Sequence, residues 1–378
     1  MSKMKAISIV GISVILVVIG VSFWGFSSAG FWRKTAMPPP GESVASSMVA
    51  SLPAPSPNST ETAAPAQKSL ADLLLQYGSL PLADVHNHDA SDKKYAGMKG
   101  VWQRDQIDRV VLFGDVSEYS AIRTDVYAWE AYTDRPDFFT PFFSGFDLHD
   151  PGSLDVIRKN LEQGYFGLGE IVAASYNSPV VSKVEWKGKD PMDGFLPQIY
   201  DLCAEYQAPI LLHMDPPNGF VIDKLEEALK NHPKTTFIFG HANAYNSPEN
   251  IKQLLEKYPN VYMDFFAGFT ILNPDSANRL EDFLPLMKQF PDRFMLSTDS
   301  GYGVGSEEAA IEAMYRVLDA LGEPALISQI AYSNLDNILR KEPATQTQKK
   351  AILTQDPSRD MTGLNKLEAG KLLWSKVK

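Results

Sequence analysis

The residues with the most chemistry in this chain stand at the ends of short apolar runs. Leu82-Ala83-Asp84-Val85 leads into His86-Asn87-His88. In an extended backbone the side chains of i and i+2 point the same way, so His86 and His88 converge on one point at the end of a strand. Two imidazoles held that way make half of a metal site. The arrangement recurs along the chain. Ile210-Leu211-Leu212 ends in His213, Phe237-Ile238-Phe239-Gly240 in His241, Phe294-Met295-Leu296-Ser297-Thr298 in Asp299, and Phe166-Gly167-Leu168-Gly169 in Glu170. Of six histidines in all, four occupy such positions. The other two, His149 before Asp150-Pro151 and His232 before Pro233, read as loop and helix-end residues.

Something must carry these strand ends to one place. Strand-like runs at Leu82–His88, Ile107–Gly114, Phe138–Phe146, Phe166–Val172, Pro209–His213, Thr236–His241, Val261–Phe265 and Phe294–Thr298 alternate with helix-like stretches. The helices are expected at Leu154–Gln163, Phe195–Tyr206, Ile222–Asn231, Pro248–Tyr258, Arg279–Phe290 and Ser306–Leu321, with a last one at Ile330–Leu339. Short strands that are apolar on both faces belong to parallel sheets. Eight strand–helix units in roughly 270 residues fit an α/β fold of the TIM-type (β/α)8 barrel. An open doubly wound sheet is the rival. Polar residues that converge from many strand ends favour the barrel, because only there do all strand ends share one mouth.

The flanks have a different character. Ala6 to Phe26 is an uncharged apolar run after Lys3 and Lys5, and Arg33 and Lys34 follow it. As a helix it would be about 31 Å long, close to the ~30 Å hydrocarbon core of a bilayer. Residues 1–34 are therefore expected to be a membrane anchor, with the catalytic part outside the cytoplasm. Cleavage as a signal peptide near Ser27-Ser28-Ala29, giving a secreted or periplasmic protein, is the competing reading. Residues 35–68 are rich in Pro, Ser and Ala and read as a disordered linker. The barrel is expected over 69–341, and 342–378 as a polar tail with a helix that covers it. The lone Cys203 permits no internal disulfide and reads as a small core residue. A net charge of −11 argues against a nucleic-acid partner; a small-molecule substrate is expected, and a homo-oligomer is open.

The phrases DVHNH (Asp84–His88), IFGHAN (Ile238–Asn243), FMLSTDSG (Phe294–Gly301) and IAYSNLDNIL (Ile330–Leu339) carry a family resemblance. Together with the order HxH, Glu, His, His, Asp, they resemble the amidohydrolase superfamily, in its amidohydrolase-related branch of metal-dependent hydrolases, over roughly Leu82 to Leu339. The resemblance implies that His86, His88 and Asp299 bind the more buried metal. It places Glu170 where relatives have a bridging carboxylate or carboxylated lysine, and gives a second ion to His213 and His241. In one-metal relatives His213 completes the first site and His241 donates a hydrogen bond instead.

A donor set this rich in histidine suits zinc, with manganese or iron as alternatives. Asp299 is the expected proton carrier for hydrolysis of an amide, lactone or other ester. Asn218, Asn243, Tyr245 and Tyr302 follow the catalytic strand ends and are expected to line the mouth. Three rivals remain at this level. A metal-dependent decarboxylase would need a cation such as Arg104 or Arg123 to hold the substrate's carboxylate. A nuclease with the same ligand order conflicts with the acidic charge. A non-catalytic tethered barrel would need no more than four closed ligands.

Overall fold

The apolar runs become eight parallel strands in the computed structural model, which describes residues 67–375 apart from 177, 217–221 and 275. They are β1 (Ala83–Asn87), β2 (Arg109–Leu112), β3 (Phe139–Phe143), β4 (Gly167–Ser175), β5 (Ile210–Asp215), β6 (Phe237–Phe239), β7 (Val261–Phe266) and β8 (Phe294–Ser297). Each is hydrogen-bonded to its neighbour in chain order. Almost every strand residue is buried, as expected where helices cover one face and a packed interior the other.

The last seam of this nearly closed barrel is joined by a side chain. Asp84 of β1 accepts from the Thr298 backbone N–H (3.0 Å) and Thr298 Oγ1 (2.6 Å), just beyond β8. A carboxylate bonding across the seam ties the first strand end to the last, so His88 and Asp299 approach one another.

Helices separate the strands. Leu196–Tyr206 buries Leu196, Ile199 and Leu202 on one face, with Cys203 beside them. Burial raises the Cys203 thiol pKa, so it behaves as the small core residue expected. Within the barrel, the two longest helices without a counterpart in the sequence expectation are Tyr95–Arg104 after β1 and Ala121–Asp134 after β2; the short ones at Ala242–Tyr245, Ala267–Leu272 and Pro324–Ser328 have none either. The first contains Gly97 and Gly100 and buries only Tyr95 and Trp102, so its apolar stripe is too thin to read as a helix. The last expected helix is displaced: Asn334–Lys341 is α-helical, and a wider turn occupies Gln329–Ser333.

After the barrel come two helices, Gln346–Gln355 and Lys366–Trp374, where the sequence suggested one. They lie in one compact unit with the barrel, Pro65–Lys378. No helix among the described residues is long and apolar enough to cross a membrane. The expected anchor and nearly all of the expected linker lie outside the described residues.

Candidate metal centre

Five strands deliver the cluster. His86 is fully buried within β1, and its Nδ1–H donates to Asp264 Oδ2 on β7 at 2.7 Å. His88, one residue past β1, donates Nδ1–H to the Gly114 carbonyl at 2.6 Å. A carbonyl can only accept, so the tautomer of His88 is set, and both Nε2 atoms turn into the barrel mouth. These two Nε2 atoms are 3.1 Å apart. Glu170 enters from β4. Its Oε1 lies 2.9 Å from His241 Nε2, 3.1 Å from His213 Nδ1 and 3.7 Å from His86 Nε2, and its Oε2 is 3.4 Å from His88 Nε2. His213 Nδ1 and His241 Nε2 are themselves 3.1 Å apart. Asp299 Oδ1 stands 3.5 Å from His86 Nε2 and 3.7 Å from His88 Nε2.

The backbone gives way to make this arrangement. His241 (φ 37°) and Asp299 (φ 45°) both take left-handed backbone where their strands stop. Such residues cost about 1–3 kcal/mol each and persist where surroundings enforce them. Gly240 shows how close the approach is. A Cβ there would sit 3.2 Å from His86 Cε1 and 3.3 Å from Glu170 Oε1.

The family model for amidohydrolases matches residues 79–350, which include all of these strands. The chain belongs to the amidohydrolase family. Solved structures resemble it in fold. An uncharacterized TIM-barrel protein from Bordetella bronchiseptica matches 70% of this amidohydrolase and 99% of its own chain, at 13% identity and a TM-score of 0.50. A dihydroxybenzoic acid decarboxylase from Polaromonas, solved with manganese and an inhibitor, covers 68% and 96% at 12% identity and 0.43. L-Hydantoinase from Arthrobacter aurescens covers 70% of each chain at 15% identity and 0.40. No curated protein matches the chain.

In this amidohydrolase two sets of three donors are close enough to share an ion: His86, His88 and Asp299, and His86, Glu170 and His241. Within each, the ligand atoms lie within 4.8 Å of one another. The donors fit a divalent cation on chemical grounds. Two imidazole nitrogens at 3.1 Å, each with its lone pair turned to the other, need a proton or a metal ion between them. Crowding also governs the titration. Burial pulls the His86 imidazole down, but the Glu170 and Asp299 carboxylates outweigh it and raise its pKa to about 10. His213 rises to about 9 by the same opposition, with Glu170 and Asp215 prevailing over burial. Burial pushes Glu170 up, and the imidazoles of His86 and His213 drive it well below the usual range. Asp299 moves the other way: burial raises its pKa, and the nearby imidazoles only partly offset that.

Above the cluster is a cavity of about 500 Å3. Its floor includes His88, Glu170, His213, His241 and Asp299; its walls include Val181, Val184, Tyr245, Phe266, Phe269 and Tyr302. Tyr302 and Tyr245 thus line the mouth, whereas Asn243 does not. Its amide donates to the Phe266 carbonyl (2.8 Å) and to Thr270 Oγ1 (2.5 Å), and its oxygen accepts from the Phe266 N–H (2.8 Å). It ties the turn after β6 to β7 and has no donor left to offer a ligand. Asn218 lies outside the described residues. Arg104, on the helix after β1, is bound to Asp105 and Glu308, and Arg123 is an exposed helix residue; neither lines the cavity.

Several residues that hold the cluster were not anticipated. Asp264 grips both His86 Nδ1 and the His241 backbone N–H, the latter at 2.9 Å. Ser300 Oγ accepts the His88 backbone N–H at 2.8 Å. Asp215, at the end of β5, stands 3.9 Å from His213 Nε2 and accepts the Tyr176 and Ser178 N–H groups of the β4–β5 connection. Asp264 left a readable sign: a lone carboxylate in the apolar run Val261–Phe266 must have a partner if that run is a buried strand.

Proposed function

We propose that this amidohydrolase is a metal-dependent hydrolase that cleaves an amide, lactone or other ester bond of a small molecule. The observation that carries the reading is the set of imidazole nitrogens turned toward one another, with Glu170 among them, on the floor of a solvent-reachable cavity. A structural ion would need only four ligands and no cavity above it. His86, His88 and Asp299 would hold one ion, most naturally zinc, with manganese or iron as alternatives. Glu170, His213 and His241 are the donors for a second.

A bound divalent ion supplies two things, a lowered pKa for water, from 15.7 toward ~7, and polarisation of a carbonyl oxygen. The chain's own groups do the rest. Asp299, on the floor of the cavity, takes the proton of the attacking water. As the C–N or C–O bond breaks, the same carboxyl returns that proton to the leaving nitrogen or oxygen. His241 completes the second donor set or, with one ion bound, donates a hydrogen bond to the carbonyl oxygen as charge builds there. Glu170 balances the imidazoles, and the Tyr245 and Tyr302 rings shape the space for substrate.

Elemental analysis of the purified domain from Ser69 on, beside a His86→Ala/His88→Ala variant, tests the reading. We expect one or two equivalents of zinc, manganese or iron in the parent and none in the variant, and turnover of esters, lactones or amides that a chelator abolishes. A folded domain that takes up no metal would sink it. The apolar run at Ala6–Phe26 supports placement of the enzyme at a membrane with the barrel outside the cytoplasm, or release after cleavage. Fractionation of cells expressing the full chain, with an alkaline carbonate wash, separates those two outcomes.

A further inference from the structure

The cavity walls narrow the substrate class. Val116, Val180, Val181, Val184, Phe266 and Phe269 present an apolar surface above the metal-capable floor. The charged side chains in the rest of the lining are carboxylates, Asp115, which accepts from Ser91 Oγ at 2.5 Å, and Glu118, which accepts from Ser120 Oγ at 2.6 Å, and the other polar groups are the hydroxyls of Ser178, Ser300, Tyr245 and Tyr302. No Lys or Arg is among the described residues that line the cavity. With Glu170 and Asp299 on the floor, the lining holds four carboxylates. One divalent ion would offset half of that charge and two would offset all of it, and with either number an anion entering the cavity finds no basic side chain among the described lining residues to receive it.

We infer that the site takes an uncharged, predominantly apolar acyl compound and rejects substrates that carry a free carboxylate. This deepens the hydrolase reading and rests on it for the bond that is broken. Water adds to the acyl carbon, the bond to the leaving oxygen or nitrogen breaks, and the acid and the alcohol or amine leave. The wall rewards added methylenes, at about fourfold per CH2 buried. The carboxylates penalise an acidic end group on the order of tenfold or more where it lies within several ångströms of them. A decarboxylase of aromatic or unsaturated acids would need the opposite lining.

The test uses the zinc-loaded domain and three esters of one leaving group and one chain length: 4-nitrophenyl hexanoate, mono-4-nitrophenyl adipate and 4-nitrophenyl 6-aminohexanoate. We expect kcat/KM for the hexanoate to exceed that for the adipate at least tenfold and to exceed that for the aminohexanoate. Hydroxamates of the same chains, hexanohydroxamic acid and adipic acid monohydroxamate, give a binding readout by calorimetry that needs no turnover. If no ester is cleaved yet hexanohydroxamate still binds at least tenfold tighter, the hydrolase reading fails and the selectivity stands. Equal or tighter binding of the adipate hydroxamate, binding of neither, or use of the adipate ester within threefold of the hexanoate overturns the inference. Glu118→Lys supplies the missing cation at the wall. It should move the adipate-to-hexanoate ratio toward the adipate by at least tenfold, and an unmoved ratio would also count against the inference.

Discussion

The two ends of the barrel bury ionisable groups in opposite ways. Near the start of β4, far from the mouth, Lys366 and Glu342 are fully buried and paired at 2.5 Å, and Lys366 Nζ also donates to the Tyr165 carbonyl at 2.8 Å. The Lys366 backbone N–H donates to the Glu342 carbonyl as well, so the pair stitches the C-terminal helices to the barrel. Here one cation faces one carboxylate, and burial prevails: it pushes Glu342 up to about 8 despite the lysine. At the mouth, several imidazoles face Glu170 and drive it well below its ordinary range, although it is just as deeply buried. The difference is one of completeness. The lower pair matches one cation to one carboxyl group, with only Glu342 Oε1 left without a hydrogen-bond partner, while the upper cluster has nitrogens facing nitrogens and requires a further cation.

If that contrast is right, the largest effect comes from removing the ligands. His86→Ala/His88→Ala should lower kcat/KM by three or more orders of magnitude, since the several kcal/mol of transition-state stabilisation expected from the ion go with it. Circular dichroism should show the fold retained, because the cluster is not what holds the barrel together. Retained turnover at the parental metal content would break the comparison at its upper end.

At the lower end the expected loss is of stability, not activity. Lys366→Ala leaves Glu342 buried without its partner and should cost about 3–5 kcal/mol in urea unfolding, with metal content per folded molecule unchanged. Lys366→Met/Glu342→Leu removes both members and should recover most of that loss, because a well-packed apolar pair replaces a buried polar one. A double variant as unstable as the single one would show that the contact to Tyr165, and not the pairing, is what matters there.

Smaller than either is the effect expected at Asp264. It fixes the orientation of His86 through Nδ1 and holds the His241 backbone where β6 ends. Asp264→Asn keeps the shape but weakens the acceptor, and should lower metal affinity about 10–100-fold with a much smaller effect on stability. Competition against a chromogenic chelator measures it. An unchanged affinity would reduce Asp264 to a packing residue.

How much of this could be read from the chain depends on whether the cause was local. Each strand end is a local fact: an apolar run stops and a metal-capable residue follows, as at Leu212–His213 or Phe239–His241. Eight apolar runs in order, five of them ending that way, were enough for the barrel. What Asp264 contacts is not local, because β7 meets β1 only across the interior. Asn243 and Tyr245 illustrate the same limit within one turn. They are two residues apart in Ala242–Tyr245, and the left-handed backbone at His241 decides that the tyrosine faces the cavity while the amide turns to Phe266. The helix at Tyr95–Arg104 was hidden for a third reason: its glycines and thin apolar face leave its stability to tertiary packing, with Trp102 Nε1 donating to Glu307 Oε1 at 2.7 Å.

The smallest effect, and the one that sharpens the comparison most, is in pH. In the ion-free protein, protons take the place that a metal would occupy: His86 is raised to about 10 and His213 to about 9, against an ordinary 6.5. Raised histidines bind protons more tightly when folded, so the stability they contribute is complete below pH 6.5 and is lost as pH climbs toward 9–10. Glu170, held below its ordinary 4.5, contributes above that value and loses its contribution in acid. Both forms lose stability as pH rises past 7, because buried Glu342 is also raised, to about 8, but the melting temperature of the ion-free protein should fall more steeply between pH 7 and 10 than that of the metal-loaded protein. Metal affinity should run the other way, gaining about tenfold per pH unit for each proton released on uptake. Calorimetry in buffers of different ionisation enthalpy counts those protons. If uptake between pH 7 and 8 releases none, the nitrogens at the mouth are already free of protons, and the cluster needs no further cation, no more than the pair at the other end does.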